Sequence, residues 1–199
     1  MQSRFVRTVT VALSMLAAGT LAVQAQMSDP DGRYSGGSPK SRWTLFGGTS
    51  YVNAIPRTTV SYPGNHAPGT IIVNTTERRL YLVQEGGTAL RYGIGVGRIG
   101  FTWAGTTQVS AKKEWPDWTP PSQMLKRRPD LPRFMKGGPD NPLGARAMYL
   151  GSSLYRIHGS NEPETIGQAV SSGCFRLLND DVIDLYGRVK VGAKVIVMR

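Results

Sequence analysis

From Gly69 onward the chain is built of short β-rich runs broken by turn residues, and that pattern restricts it to a β-class fold. Residues 70–74 read as a strand, Glu77 and Arg78 turn the chain, and residues 79–84 return. Glu85-Gly86-Gly87 turns again into a run at 89–94, and residues 107–114 alternate apolar and polar. Residues 145–150 and 154–158 form a hairpin about Gly151 and Ser152, and residues 194–198 form a last strand. Short runs of this kind, separated by turn signals, argue a sandwich or barrel. Helical signals are few: residues 121–128, one turn at 163–168, and residues 179–189. In the last of these Asn179 is expected to cap, with Asp180 and Asp181 in the first turn. Val182, Ile183, Leu185, Tyr186 and Val189 are expected to share one face. The expected fold is mainly β with short helices.

The organisation divides in three. Residues 1–25 have the pattern of a signal peptide: Arg4 and Arg7, a mostly apolar run from 9 to 23, and Val23-Gln24-Ala25 as a cleavage site. The run is too short and too rich in small residues for a membrane span. No transmembrane anchor is therefore expected after cleavage. Residues 26–68, rich in Ser, Gly, Pro and Arg, read as a flexible extension. Residues 69–199 are the expected domain. Loss of Arg4 and Arg7 takes the net charge from +11 to +9. A basic chain attracts polyanions. Export to the periplasm makes nucleic acid an unlikely partner and favours peptidoglycan carboxylates or anionic lipid.

Gly95-Val96-Gly97-Arg98-Ile99-Gly100 matches the glycine spacing of a dinucleotide site. That site requires a helix opening at the glycines. Phe101-Thr102-Trp103-Ala104-Gly105 opens none, so the glycines are assigned to turns near a pocket.

The chain has one cysteine, Cys174, in Ser171-Ser172-Gly173-Cys174-Phe175-Arg176. An exported chain with a single cysteine forms no internal disulfide. A buried filler, an intermolecular bond and a nucleophile remain, and the neighbours favour the nucleophile. Ser172 and Gly173 let the backbone turn tightly before the sulfur. Arg176 adds a fixed positive charge. His158 precedes the cysteine by 16 residues, at a strand end followed by Gly159, and is available as a base. His66 lies in a proline-containing loop and is given no role. One cysteine and two distant histidines lack metal-ligand spacing, so neither metal nor cofactor is expected.

On His158-Gly159-Ser160-Asn161-Glu162-Pro163, Ile166-Gly167 and Ser172-Gly173-Cys174-Phe175-Arg176-Leu177, the chain resembles the L,D-transpeptidase catalytic domain, the YkuD family. The resemblance runs from Gly69 to Val197 and includes the Gly95 to Gly105 segment and the Asp140 to Gly144 loop. Phe175 departs from the aliphatic residue often found there. The resemblance implies that Cys174 attacks the bond between a diaminopimelate and the terminal D-alanine of a peptidoglycan stem. His158 takes the thiol proton and is oriented by the Gly159 carbonyl. Backbone N–H groups of Gly173 and Cys174 hold the oxyanion. Arg176, Ser172 and Asn161 are the expected substrate contacts, with an ion pair as the other reading of Arg176. It further implies cell-wall biogenesis and cell shape as the setting, and carbapenems as covalent inhibitors.

The acceptor is open: another stem, an outer-membrane protein, water as in an L,D-carboxypeptidase, or a free D-amino acid in an exchange. A non-enzymatic peptidoglycan-binding module is the competing class. Sortase-like and papain-like enzymes place their residues at other spacings or in the opposite order. The segment between Trp115 and Gly144 carries Trp115, Trp118, Met124, Phe134 and Met135 among Lys126, Arg127, Arg128, Arg133 and Lys136. It is expected either to wall a substrate cleft or to cap the sheet.

Overall fold

A computed structural model describes residues 55–199. The signal-like residues 1–25 and residues 26–54 of the extension lie outside the described residues. Among the described residues nine strands form one sheet and two short strands form a second. In chain order the strands are β1 (Thr58–Ser61), β2 (Ile71–Asn74), β3 (Arg79–Val83), β4 (Thr88–Gly93), β5 (Val96–Gly97), β6 (Gly105–Glu114), β7 (Arg146–Leu150), β8 (Arg156–His158), β9 (Ala169–Ser171), β10 (Phe175–Arg176) and β11 (Lys194–Met198). The helices are α1 (Ser122–Arg127) and α2 (Asn179–Arg188), with a single 3-10 turn at Pro163–Thr165. The large sheet runs β1-β4-β3-β2-β11-β6-β7-β8-β10, and β5 pairs with β9. The domain is mainly β with short helices.

The long strand β6 joins two halves of the sheet. Its first residues pair with β11 and its later ones with β7, and the register shifts between Val109 and Ala111. Such an irregularity bends a strand and raises its twist. Ile71, Ile72 and Val73 of β2 are all buried, as expected of a strand covered on both faces. α2 closes one side by burying Val182 and Leu185, with Val189 buried just past its C-terminus. Each such side chain contributes roughly 1.5–3 kcal/mol. Ile183 does not belong to that face: it is 42% exposed. No described helix is long and apolar enough to cross a membrane.

The structure corrects the sequence reading elsewhere in the fold as well. Order does not begin at Gly69, because β1 within the expected extension pairs antiparallel with β4. Thr58-Thr59-Val60-Ser61 is a polar edge strand with no apolar stripe, so hydrophobic patterning does not mark it. Its start is tethered by Arg57, which lies 3.4 Å from both Asp181 and Asp184 of α2. The strands β5, β9 and β10 escape the sequence because two or three residues carry no period. Asn179 begins α2 but does not cap it; Leu178 holds the cap position and makes no side-chain cap bond. Asn179 Oδ1 instead accepts the Ala145 N–H at 2.9 Å, which ties α2 to the loop before β7.

Candidate active site

Parallel pairing of β8 with β10 brings the two reactive motifs together. Phe175 lies opposite Ile157 and Arg176 opposite His158. Phe175 and Ile157 are buried, so the pair is anchored in the core while its end faces a cavity. His158 and Cys174 both line that cavity, which has a volume of about 400 Å³.

His158 is 4% exposed. Its Nδ1 lies 2.6 Å from the Gly159 carbonyl oxygen. A carbonyl only accepts, so Nδ1 carries the proton and Nε2 keeps its lone pair. A Cβ at Gly159 would collide with Asn179 Oδ1 and crowd the Ala145 backbone, so glycine lets this strand end pack closely against the loop before β7. Burial, and then the charge of Arg176, pull the His158 pKa down to about 3, against the opposing effect of the Gly159 hydrogen bond. Burial pushes the Cys174 thiol up, partly offset by the charge and hydrogen bonding of Arg156 and the charge of Arg176. The resting pair is therefore a neutral thiol and a neutral imidazole. The Cys174 sulfur contacts the Leu154 carbonyl at 3.8 Å.

The turn before the sulfur is fixed by three hydrogen bonds. Ser171 Oγ donates to the Cys174 carbonyl at 2.6 Å and accepts the Gly173 N–H at 3.2 Å. Trp103 Nε1 donates to the Gly173 carbonyl at 3.1 Å. Gly173 has φ +109, and a Cβ there would stand 2.5 Å from the Tyr155 ring. Trp103 itself stacks on Tyr155 at 4.8 Å between centroids. The Gly95 to Gly105 segment lies against this turn, and a Cβ at Gly97 would approach Phe101 O and Gly173 Cα.

Of the two N–H groups expected to hold an oxyanion, that of Gly173 donates to Ser171 Oγ within the turn. Ser172 lines the cavity with a buried hydroxyl that has no protein partner. Arg176 also lines the cavity, yet its guanidinium pairs with Glu162 at 3.0 Å, the ion-pair reading. Asn161 is not among the lining residues; its amide donates to the Asp140 carbonyl at 3.0 Å and holds the neighbouring loop. His66 sits near Tyr62, apart from the cavity. The sequence reading missed Ser171, Trp103, Tyr155 and Arg156. Ser171 and Trp103 stood inside segments already singled out, but nothing in a sequence says which serine folds back or which indole reaches a carbonyl.

The 115–144 segment packs on a small core of its own and walls one side of the cavity. Trp118, Leu131 and Leu143 form a small core with Met124, Leu125 and Met135. Asn141 is 1% exposed and stitches the loop by donating to the Met135 and Lys136 carbonyls. Trp118, Met124, Arg127 and Leu143 also face the cavity. Trp115 and Phe134 are exposed, and Arg128 pairs with Asp130. Among the described residues, no group of three or more His, Cys, Asp or Glu could hold a metal ion.

A family model of the L,D-transpeptidase catalytic domain, YkuD, matches residues 68–197. The chain belongs to this L,D-transpeptidase family. Among curated L,D-transpeptidases, the probable enzyme YbiS of Escherichia coli K12 is 41% identical over 134 residues, covering 63% of this chain and 43% of that protein. ErfK/SrfK of the same organism, also a probable L,D-transpeptidase, is 42% identical, covering 63% of this chain and 42% of that protein. The chain therefore spans less than half the length of these relatives. L,D-transpeptidase 3 from Mycobacterium tuberculosis, solved with a faropenem-derived adduct, superposes with a TM-score of 0.54 at 18% identity, covering 65% of this chain and 60% of that one. At that identity the likeness to the L,D-transpeptidase structure is one of fold.

Proposed function

We propose that this protein is a periplasmic peptidoglycan L,D-transpeptidase with Cys174 as nucleophile and His158 as base. The observation that carries this reading is the Nδ1 contact of His158 with the Gly159 carbonyl, which leaves Nε2 as the unprotonated ring nitrogen of a residue that lines the same cavity as Cys174. Because both groups rest neutral, the thiol proton moves to Nε2 only as sulfur attacks the carbonyl carbon. The S–C bond forms, the C–N bond breaks, and the proton passes from His158 to the departing amine of D-alanine. An acyl thioester remains. An acceptor amine then attacks, gives a proton to His158, and returns the sulfur to its thiol.

The developing oxyanion meets the Cys174 N–H. That N–H belongs to the same trans peptide unit as the Gly173 carbonyl and so points the opposite way. Trp103 holds that unit by its carbonyl, and Ser171 holds the peptide units on either side of it, before the substrate arrives, which is the condition for strong electrostatic stabilisation. The acceptor is an amine of a second stem or of an outer-membrane protein. A carbapenem, as an acyl donor, is expected to label Cys174. The family membership and the signal-like pattern of residues 1–25 support the reading.

The test is incubation of the full chain with a purified disaccharide tetrapeptide. D-Alanine release with formation of cross-linked dimer supports transfer. Release without dimer points to water as acceptor. No release from wild-type protein, or full release by Cys174→Ala, refutes the assignment.

A further inference from the structure

Three guanidinium groups line the catalytic cavity, and they differ in what they face. Arg176 is paired with Glu162. Arg127 stands over the Phe101 ring at 5.6 Å. Arg156 has no carboxylate within ion-pair distance among the described residues, and its Nε is buried without a partner. Its NH1 donates to the Leu154 carbonyl at 3.2 Å, and its guanidinium lies over Tyr149. That same Leu154 carbonyl is the contact of the Cys174 sulfur. The cation and the nucleophile thus share one oxygen atom, so the sum of two short contacts bounds their separation.

We propose that Arg156 forms a carboxylate subsite beside the nucleophile and takes the free C-terminal carboxylate of the residue that leaves. This rests on the transpeptidase reading. When sulfur reaches the scissile carbon, the terminal carboxylate of the leaving D-amino acid lies one residue further along, about 3.8 Å between successive Cα atoms. A carboxylate at the end of the donor's own side chain is several bonds more distant. A half-buried guanidinium whose buried Nε lacks a partner favours an anion there, and a planar fork suits a carboxylate. The consequence is selection for donors that end directly after the scissile bond. A stem with one more residue presents an uncharged peptide group at the same place.

The experiment compares two synthetic stems that differ only at the end: a tetrapeptide with a free carboxylate and the same tetrapeptide as its C-terminal carboxamide. Release of D-alanine and of D-alaninamide is followed for the full chain. Wild-type protein should favour the free acid by roughly 10- to 100-fold in kcat/KM, the range for a charge-assisted hydrogen bond. Arg156→Gln should bring that ratio close to one, and Arg156→Lys should keep an intermediate ratio. Any change in thiol reactivity acts on both substrates alike and cancels in the ratio; iodoacetamide alkylation reads it separately. A wild-type ratio near one overturns the subsite, as does an Arg156→Gln protein that still prefers the acid. If Arg156→Gln does not fold, the Arg156→Lys ratio decides: a value unchanged from wild type overturns the forked-pair geometry. Absence of release from either stem by wild-type protein fails the underlying transpeptidase reading instead, and the subsite falls with it.

Discussion

The cavity lined by His158 and Cys174 is walled by two regions held together in opposite ways. On one side, the turn from Ser171 to Cys174 and the end of β8 are closed by hydrogen bonds to Ser171, Trp103 and Gly159, over the buried pair Ile157 and Phe175. On the other, the 115–144 segment rests on a small apolar cluster around Trp118, with exposed Phe134 and surface cations. On the proposed mechanism the first side places the reacting atoms, where small displacements cost rate. The second offers area and charge, where the cost of a change is graded. Rate should therefore depend steeply on the turn and substrate affinity on the segment.

The largest expected effect breaks the first side outright. Cys174→Ala should abolish D-alanine release. His158→Ala should lower the acylation rate by about 100- to 10,000-fold, the range for a lost general base, with little change in substrate binding by calorimetry. A His158→Ala protein that acylates at the wild-type rate would exclude His158 as the base. Next comes Trp103→Phe, which keeps an aromatic ring on Tyr155 but removes the donor to the Gly173 carbonyl. It should lower kcat about tenfold, less than loss of an oxyanion donor itself, and leave KM nearly unchanged. Equal changes in kcat and KM, or a lowered melting temperature without a kcat effect, would make Trp103 a packing residue only.

The candidate residues His158 and Cys174, which the fold brings to one cavity, stand out in the sequence because their signals are local: one thiol, one histidine before glycine, and small residues ahead of the sulfur. The longer strands and α2 were legible because each carries a period. What holds the turn was not legible. Trp103 lies 70 residues from Gly173, and only the fold joins them. Arg176 reads as a substrate contact until Glu162, within the other motif, proves to be its partner. Asn179 reads as a cap until the tertiary contact with Ala145 takes its side chain. In each case a long-range partner overrides a local preference.

Acid sharpens the comparison between the cavity and the far side of α2. His158 has a folded pKa of about 3, below its ordinary 6.5. The unfolded chain then binds the extra proton, so stability from this residue is complete above pH 6.5 and is lost as pH falls towards 3. Asp181 is the reverse: burial, against the charge of Arg57, raises it to about 6 from 3.8. There the native state binds the extra proton, and its contribution is lost as pH rises from 3.8 through 6. Each group gives a slope of at most about 1.4 kcal/mol per pH unit. Chemical denaturation from pH 4 to 7 should show a steeper rise with pH in Asp181→Asn and a flatter or falling profile in His158→Gln. Parallel profiles for both variants and wild type would remove this assignment of charge.

The smallest expected effect lies on the second side. Arg127 lines the cavity, whereas Arg128 is turned to Asp130. An exposed or half-exposed cation near anionic stems acts through a screened field, with a Debye length of about 10 Å at 0.1 M salt. Arg127→Ala should raise KM a few-fold at low salt and leave kcat unchanged, and the difference should shrink as salt is added. Arg128→Ala, which removes the pair with Asp130, should leave KM near wild type. An equal KM effect from the two variants would mean that the segment acts as a diffuse positive surface. A kcat loss from Arg127→Ala alone would mean that the segment, like the turn opposite, positions the reacting atoms.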